Sequence, residues 1–361
     1  RGAHWRPMIL GGLLCLGAFL GCAPGDTITE DLAAGVVYHK IHLLEGPWWI
    51  HVVEIDLPTA WAAGVRLRTA MAMSERGGVQ KTSSLAAGAL AAINGDFLYT
   101  GKTTHTAGLQ IHEGRLIRTP QRRSAFAISA AGAPLIAVYQ LEMGVLTSRG
   151  EELRASGFNR EPDRGELVVF NHYARAWRDS VRAARGFLLR GLEGNSIVNG
   201  AVTARVQQVR RRAWPLVLDP GQWLLAAGPD YAAAAGIAPG DTVRLYGRLP
   251  PARDALVEAI GGGPRILRDG AISVEVEKER LSRTFADERH PRTAIGYSQN
   301  GQVLFLVVVD GRQPGYSVGM SLAELAEFMR MRLADSALAR ENAYQALNLD
   351  GGGSATMVVG E

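Results

Sequence analysis

The chain has 361 residues, 47% of them hydrophobic and 20% charged, with a formal net charge of +4. That composition excludes a disordered or collagen-like chain and provides for a sizeable core. Both cysteines, Cys15 and Cys22, fall in the first stretch, so the remainder forms neither a disulfide framework nor a cysteine-based metal site.

Arg1, His4 and Arg6 precede an apolar segment from Met8 to Leu20. This segment is short for a membrane span, which needs ~20 apolar residues. A basic start, a short apolar centre and small residues predict a secretory signal peptide over 1–22. Leu20-Gly21-Cys22-Ala23 resembles the bacterial lipoprotein cleavage box, which implies lipidation of Cys22 and a membrane anchor; Phe19 departs from the aliphatic residue usual in that box. The expectation is an exported protein, either a periplasmic or outer-membrane lipoprotein or a secreted one. Small polar residues over 23–35 read as a tether, and 36–361 as one domain.

Trp48 to Leu57 is rich in β-branched and aromatic residues and predicts a strand ended by Pro58. Thr82 to Ala92 is small and apolar and reads as a buried helix leading into Ile93-Asn94-Gly95-Asp96-Phe97. Short strands with turn signals follow at Gly108 to His112, Phe126 to Ser129, Glu166 to Asn171 and Ser196 to Val206. Val303 to Val309 is an unbroken apolar run stopped by Asp310-Gly311, the pattern of a central strand buried on both faces. Ser321 and Glu324 form a capping box that starts a helix, with Leu322, Leu325, Ala326, Met329 and Leu333 on one face. The predicted fold class is α+β: a single domain with a mixed, twisted β-sheet core, short strands and a few packing helices.

The terminal run Asn348-Leu349-Asp350-Gly351-Gly352-Gly353-Ser354-Ala355-Thr356 carries the densest chemistry. Apolar residues flank it, so it reads as strand, tight loop, strand. Glycine lets the backbone take φ > 0 and press close to a ligand, and here Asp350, Asn348, Ser354 and Thr356 surround that bare backbone. Similar strand-end turns occur at Asn94-Gly95-Asp96, Gly261-Gly262-Gly263-Pro264-Arg265, Arg292-Thr293 and Asp310-Gly311-Arg312. If these turns converge, carboxylates meet arginines, a combination suited to an anionic sugar derivative. Arginine carries most of the positive charge, yet Arg210-Arg211-Arg212 is not interleaved with aromatics, so nucleic-acid binding is not favoured. The histidines show no HExxH pattern and the glycine loop no following lysine, so neither a zincin nor a Walker site is expected. No cofactor is evident from the motifs, which assign no metal ligand and leave a divalent metal open.

Taken in order, these motifs resemble the phosphodiester glycosidase family. Ile93-Asn94-Gly95-Asp96-Phe97, Gly261-Gly262-Gly263-Pro264-Arg265, Arg292-Thr293-Ala294-Ile295-Gly296, Val309-Asp310-Gly311-Arg312 and Asn348-Leu349-Asp350-Gly351-Gly352-Gly353-Ser354 carry the likeness. Asp96 departs from it, standing where many relatives have a second glycine. The resemblance implies release of a sugar from a phosphodiester at the anomeric carbon, with a phosphorylated saccharide or glycan of the cell envelope or exopolysaccharide as substrate. It implies that Asp350 or Asp310 stabilises the anomeric carbon or activates water, and that Arg292, with Arg265, holds the phosphate. Asn94, Asp96, Thr293, Asn348, Ser354, Thr356 and the Gly351, Gly352 and Gly353 backbone then line the substrate. Two readings compete: a metal-dependent phosphodiesterase cleaving P–O, and a non-catalytic lipoprotein that binds envelope glycans.

Overall fold

The apolar run Val303–Val309 forms a strand whose seven residues are all buried. It lies in the middle of an eight-stranded sheet in the computed structural model, which describes residues 24–72, 79–99, 105–174, 185–212, 217–334 and 341–360. The strand order is Pro24–Ala33, Val36–Leu43, Trp48–Asp56, Val303–Val309, Arg292–Tyr297, Gln345–Asn348, Arg265–Arg268 and Ala271–Ile272. All neighbours in it are antiparallel.

Alternation along Val303–Val309 explains the layering. Val303, Phe305, Val307 and Val309 pack against the helix Leu322–Met331, while Leu304 and Leu306 face Phe126, Ile128 and Ile136 of a second sheet. The second, five-stranded sheet is ordered Pro134–Val138, Ser124–Ser129, Leu256–Gly261, Gln110–His112 and Arg115–Arg118. Its other face, through Leu109, Ile111, Ala125 and Ala127, joins the core of a third, eight-stranded sheet. That sheet runs Glu152–Arg154, Glu142–Thr147, Thr242–Arg248, Gly200–Arg210, Arg185–Glu193, Gln222–Ala227, Leu167–Asn171 and Gly157–Phe158. Its last two strands are parallel to each other.

The α+β expectation therefore holds only in part, since the described residues are mainly β. The capping box at Ser321 and Glu324 is present and starts the ten-residue helix Leu322–Met331. The helix expected over Thr82 to Ala92 is corrected: only Thr82–Leu85 is helical, and its residues are not buried. Gly88 at φ +78° turns the chain out of the helical region, and Ala91–Ile93 is already a strand. Pro58 does not simply end its strand but occupies the first turn of the helix Leu57–Ala62, where Asp56 caps the Thr59 N–H. Most of the expected tether is instead the edge strand Pro24–Ala33, paired with Val36–Leu43 through a turn at Gly35. The predicted signal peptide and Cys22 lie outside the described residues. No helix among those residues is long and apolar enough to cross a membrane.

Candidate active site

The antiparallel register sets Arg292 opposite Val309 and Ala294 opposite Asn348. The turns at Pro291, Asp310 and Asp350 therefore leave the sheet at the same end of three neighbouring strands. Between them opens a cavity of about 290 Å³ lined by Pro291, Asp310 to Gln313, Gly352, Gly353 and Ala355. Two glycines have a geometric cause. A Cβ on Gly351 would lie 2.8 Å from the Pro291 carbonyl oxygen, and Gly352 sits at φ +61°. Only a residue without a side chain satisfies both the close approach and the left-handed backbone at low cost.

Asp310 is the carboxylate of this cavity. His51 Nε2 lies 3.3 Å from its Oδ2, and the Tyr316 hydroxyl donates to the same oxygen at 3.4 Å. The hydrogen bond from His51 is the main reason the carboxyl titrates below its ordinary value; Tyr316 and the nearby Lys40 charge act in the same direction, against partial burial. Arg312 supplies the cation. It is exposed at φ +59°, its Nη2 lies 3.3 Å from His290 Nδ1, and it packs so close that a Cβ on Gly352 would sit 3.1 Å from Nη2.

Asp350 opens the glycine turn. Its Oδ1 accepts the Gly351 N–H at 2.9 Å, its own N–H donates to Gly95 O at 3.0 Å, and Ser354 hydrogen-bonds its side chain. Burial nevertheless raises its carboxyl above the ordinary value, outweighing both side-chain bonds. Asn94 ties the loops together. Its Nδ2 donates to Asp350 O at 2.7 Å, while its Oδ1 accepts from the Thr293 hydroxyl at 2.7 Å and the Thr356 N–H at 3.0 Å. The strand pair Ala91–Ile93 with Met357–Val359 sets this meeting. Thr293 and Asn348 are fully buried. Asn348 Nδ2 donates to the Gly263 and Leu349 carbonyls, and its Oδ1 has no partner among the described residues. The Thr356 hydroxyl donates to Ser354 O at 3.1 Å, and Ser354 is exposed.

Three predicted site residues lie elsewhere in character. Arg292 is 1% exposed; its Nε donates to Met320 O at 2.8 Å, and its Nη2 to Phe285 O at 2.8 Å and Glu288 O at 2.7 Å. Burial, with Arg312 nearby, pushes this guanidinium down to about 10. It braces the Pro291 turn from behind and does not line the cavity. Arg265 is likewise buried, with its guanidinium on Leu267 O, Ile136 O and the Gln345 side chain. Asp96 is buried, accepting the N–H groups of Phe97 and Gly108, so it knits backbone rather than faces the cavity. Its carboxyl is pushed up to about 6 by burial, which outweighs those two bonds. Among the described residues no group of three or more His, Cys, Asp or Glu side chains is placed to hold a metal ion.

Sequence reasoning missed Arg312 as the exposed cation of the cavity and His51, Tyr38 and Tyr316 as partners around Asp310. For Arg312 the signal was available. It follows an Asp-Gly turn, where side chains point to solvent, whereas Arg292 opens a strand buried on both faces. His51 carried none, being a single histidine on a strand.

The phosphodiester glycosidase family model matches residues 195–361. The motif at 93–97 lies outside the match but folds onto it through Asn94. An N-acetylglucosamine-1-phosphodiester alpha-N-acetylglucosaminidase of Bos taurus is 34% identical over 112 residues, and that of Mus musculus 32%. The match covers 28% of this chain and 19% of each of these proteins, so it spans about a fifth of the curated relatives' length. A hypothetical protein from Synechocystis superposes with a TM-score of 0.67 at 21% identity, over 93% of this chain and 60% of that one. A candidate exported protein of Burkholderia pseudomallei superposes with a TM-score of 0.66 at 20% identity, over 99% and 95%. At those identities the two structures share the fold.

Proposed function

We propose that this chain hydrolyses a sugar-1-phosphodiester at the anomeric carbon, releasing the sugar and a phosphate monoester. The observation that carries the reading is the meeting of the Asp310 carboxylate, the exposed Arg312 guanidinium and the bare glycine backbone around one cavity. A phosphate monoester anion is a good leaving group, so the site needs charge neutralisation more than a strong general acid. Arg312 fits the phosphate through a bidentate fork, and the exposed backbone at Gly353 allows close approach. Asp310, kept ionised, faces the positive charge that develops at the anomeric carbon. Asp350, Asn94, Thr293 and Thr356 hold the glycine loop in register with the Pro291 turn. Arg292 and Arg265 act from beneath as braces rather than as phosphate ligands.

The substrate is a phosphorylated saccharide, and the expected setting is a cell-envelope or exopolysaccharide glycan reached by an exported protein. Support for that setting comes from the basic and apolar start of the sequence and its cleavage-box likeness at Cys22. The test is a panel of sugar-1-phosphodiesters incubated in heavy-oxygen water, with and without a chelator. Label in the released sugar is the expected result. Label in the phosphate would replace this reading with P–O cleavage, and saturable binding without product would leave a glycan-binding module.

A further inference from the structure

His51 stands on the strand Trp48–Asp56, opposite Lys40 on one side and Val308 on the other. Residues Val53 and Ile55 further along its face enter the apolar core, while His51 sits at the open end beneath Asp310. Both ring nitrogens are engaged. Nδ1 is 2.8 Å from the Tyr38 hydroxyl and Nε2 is 3.3 Å from Asp310 Oδ2. The Tyr38 and His51 rings are stacked, with centroids 6.1 Å apart and planes 13° from parallel. A tyrosine hydroxyl that donates to Nδ1 leaves the proton of a neutral imidazole on Nε2, aimed at the carboxylate.

The second donor reaches the same oxygen. Tyr316 is exposed, yet its ring stacks on Trp49 (5.6 Å, 18°), which stacks on His42 (4.3 Å, 3°). His51 and Tyr316 thus converge on Oδ2, which leaves Asp310 Oδ1 without a hydrogen bond among the described residues. We propose that His51, oriented by Tyr38, is the positioning residue that fixes the Asp310 carboxylate so that Oδ1 is the oxygen presented to the anomeric carbon. This rests on the assignment of Asp310 as the acting carboxylate. The ionisable groups around the pair are Tyr38, Tyr316 and Lys40, with Glu30 acting on Tyr38. His51 itself makes the largest contribution to keeping Asp310 charged.

The experiment compares wild type with His51→Ala, His51→Gln and Tyr38→Phe, each checked for folding by thermal unfolding. Two readouts are used: the pH dependence of kcat on a sugar-1-phosphodiester, and the titration of the Asp310 carboxyl carbon by NMR. His51→Ala is expected to lower kcat by about 10- to 100-fold with little change in KM, the size of effect that follows from a misplaced reacting group. Its acidic limb should move to higher pH and the Asp310 titration with it. Glutamine, whose amide can donate to the same oxygen, should restore most of both. Tyr38→Phe should fall between them. An Asp310 titration unchanged in His51→Ala overturns the proposal, whatever happens to activity. A titration that moves in a protein that hydrolyses no sugar phosphodiester upholds the bracing and overturns the proposed function.

Discussion

Two arginines at the same end of one strand pair should fail in opposite ways when replaced by methionine. Arg312 is exposed at the cavity, with its Nη2 3.3 Å from His290 Nδ1. Arg312→Met should leave stability within about 0.5 kcal/mol, as surface changes do. If its fork meets a phosphate, each lost charged hydrogen bond is worth about 1.5–3 kcal/mol, which is a fall of about 10- to 150-fold in kcat/KM. Arg292 is the converse. Its removal takes the side-chain donor from the carbonyls of Phe285 and Glu288 and leaves Met320 O with the His290 N–H alone. At about 1–3 kcal/mol for each of the two carbonyls that lose their donor, Arg292→Met should cost at least about 2 kcal/mol, a large part of a domain's stability. Urea denaturation gives the stability of both variants, and released sugar from a sugar-1-phosphodiester gives the activity. A stable Arg292→Met protein with impaired turnover, beside an Arg312→Met protein with normal turnover, would refute the assignment and return the phosphate to Arg292.

Further consequences follow from the same geometry. Asp310→Asn should lower kcat/KM by about 10²- to 10³-fold with the fold intact, the loss typical of one preorganised electrostatic group; turnover near wild type would remove Asp310 from the chemistry. Asp96 titrates near 6 in the folded chain against 3.8 ordinarily, so the folded state binds the proton more tightly. Stability contributed by this group is therefore full below pH ~4 and lost as pH rises through ~6, by up to about 3 kcal/mol. Urea unfolding of wild type and Asp96→Asn should show their stability difference shrinking across that window, and a flat difference would contradict it. Gly351→Ala should cost about 1–3 kcal/mol because its Cβ meets the Pro291 carbonyl oxygen, whereas Gly353→Ala, with nothing within 4 Å, should be neutral in thermal unfolding.

Where periodicity alone decides an element, the sequence was a sufficient guide. Val303 to Val309 had to be buried on both faces, because no polar residue interrupts it, and the strand has those bounds. The Ser321 and Glu324 pair marks a helix start because the side chains satisfy backbone N–H groups that the helix itself leaves open, and both bonds form. Composition without period misled. Thr82 to Ala92 is small and apolar but lacks a helical stripe, and Gly88 breaks it after one turn. Residues 23–35 are polar, yet Thr27, Ile28 and Thr29 are β-branched and find a partner strand across the turn at Gly35. The candidate site was legible as a set of loops, not as a set of roles. Asn94, Asp310, Asp350 and the glycines do meet. Which arginine is free depends on what lies behind each backbone segment, and that is a tertiary property.

Register is what turns these loops into a site. The pairs Arg292 with Val309 and Ala294 with Asn348 put three chain turns at the same end of three neighbouring strands. A one-residue slip of either strand would send its side chains to the opposite face. Arg292 then gains a fixing role that its burial alone does not explain. By holding Phe285, Glu288 and Met320 it clamps the segments on both sides of the Pro291 turn. The Pro291 carbonyl in turn accepts the Gly352 N–H at 2.9 Å. The buried guanidinium thus sets the position of the backbone against which the glycine loop closes, and the exposed one at Arg312 works over that loop. Exchanging the two charges would satisfy neither place: a cation without carbonyl acceptors cannot brace the turn, and a cation spent on carbonyls cannot grip a phosphate.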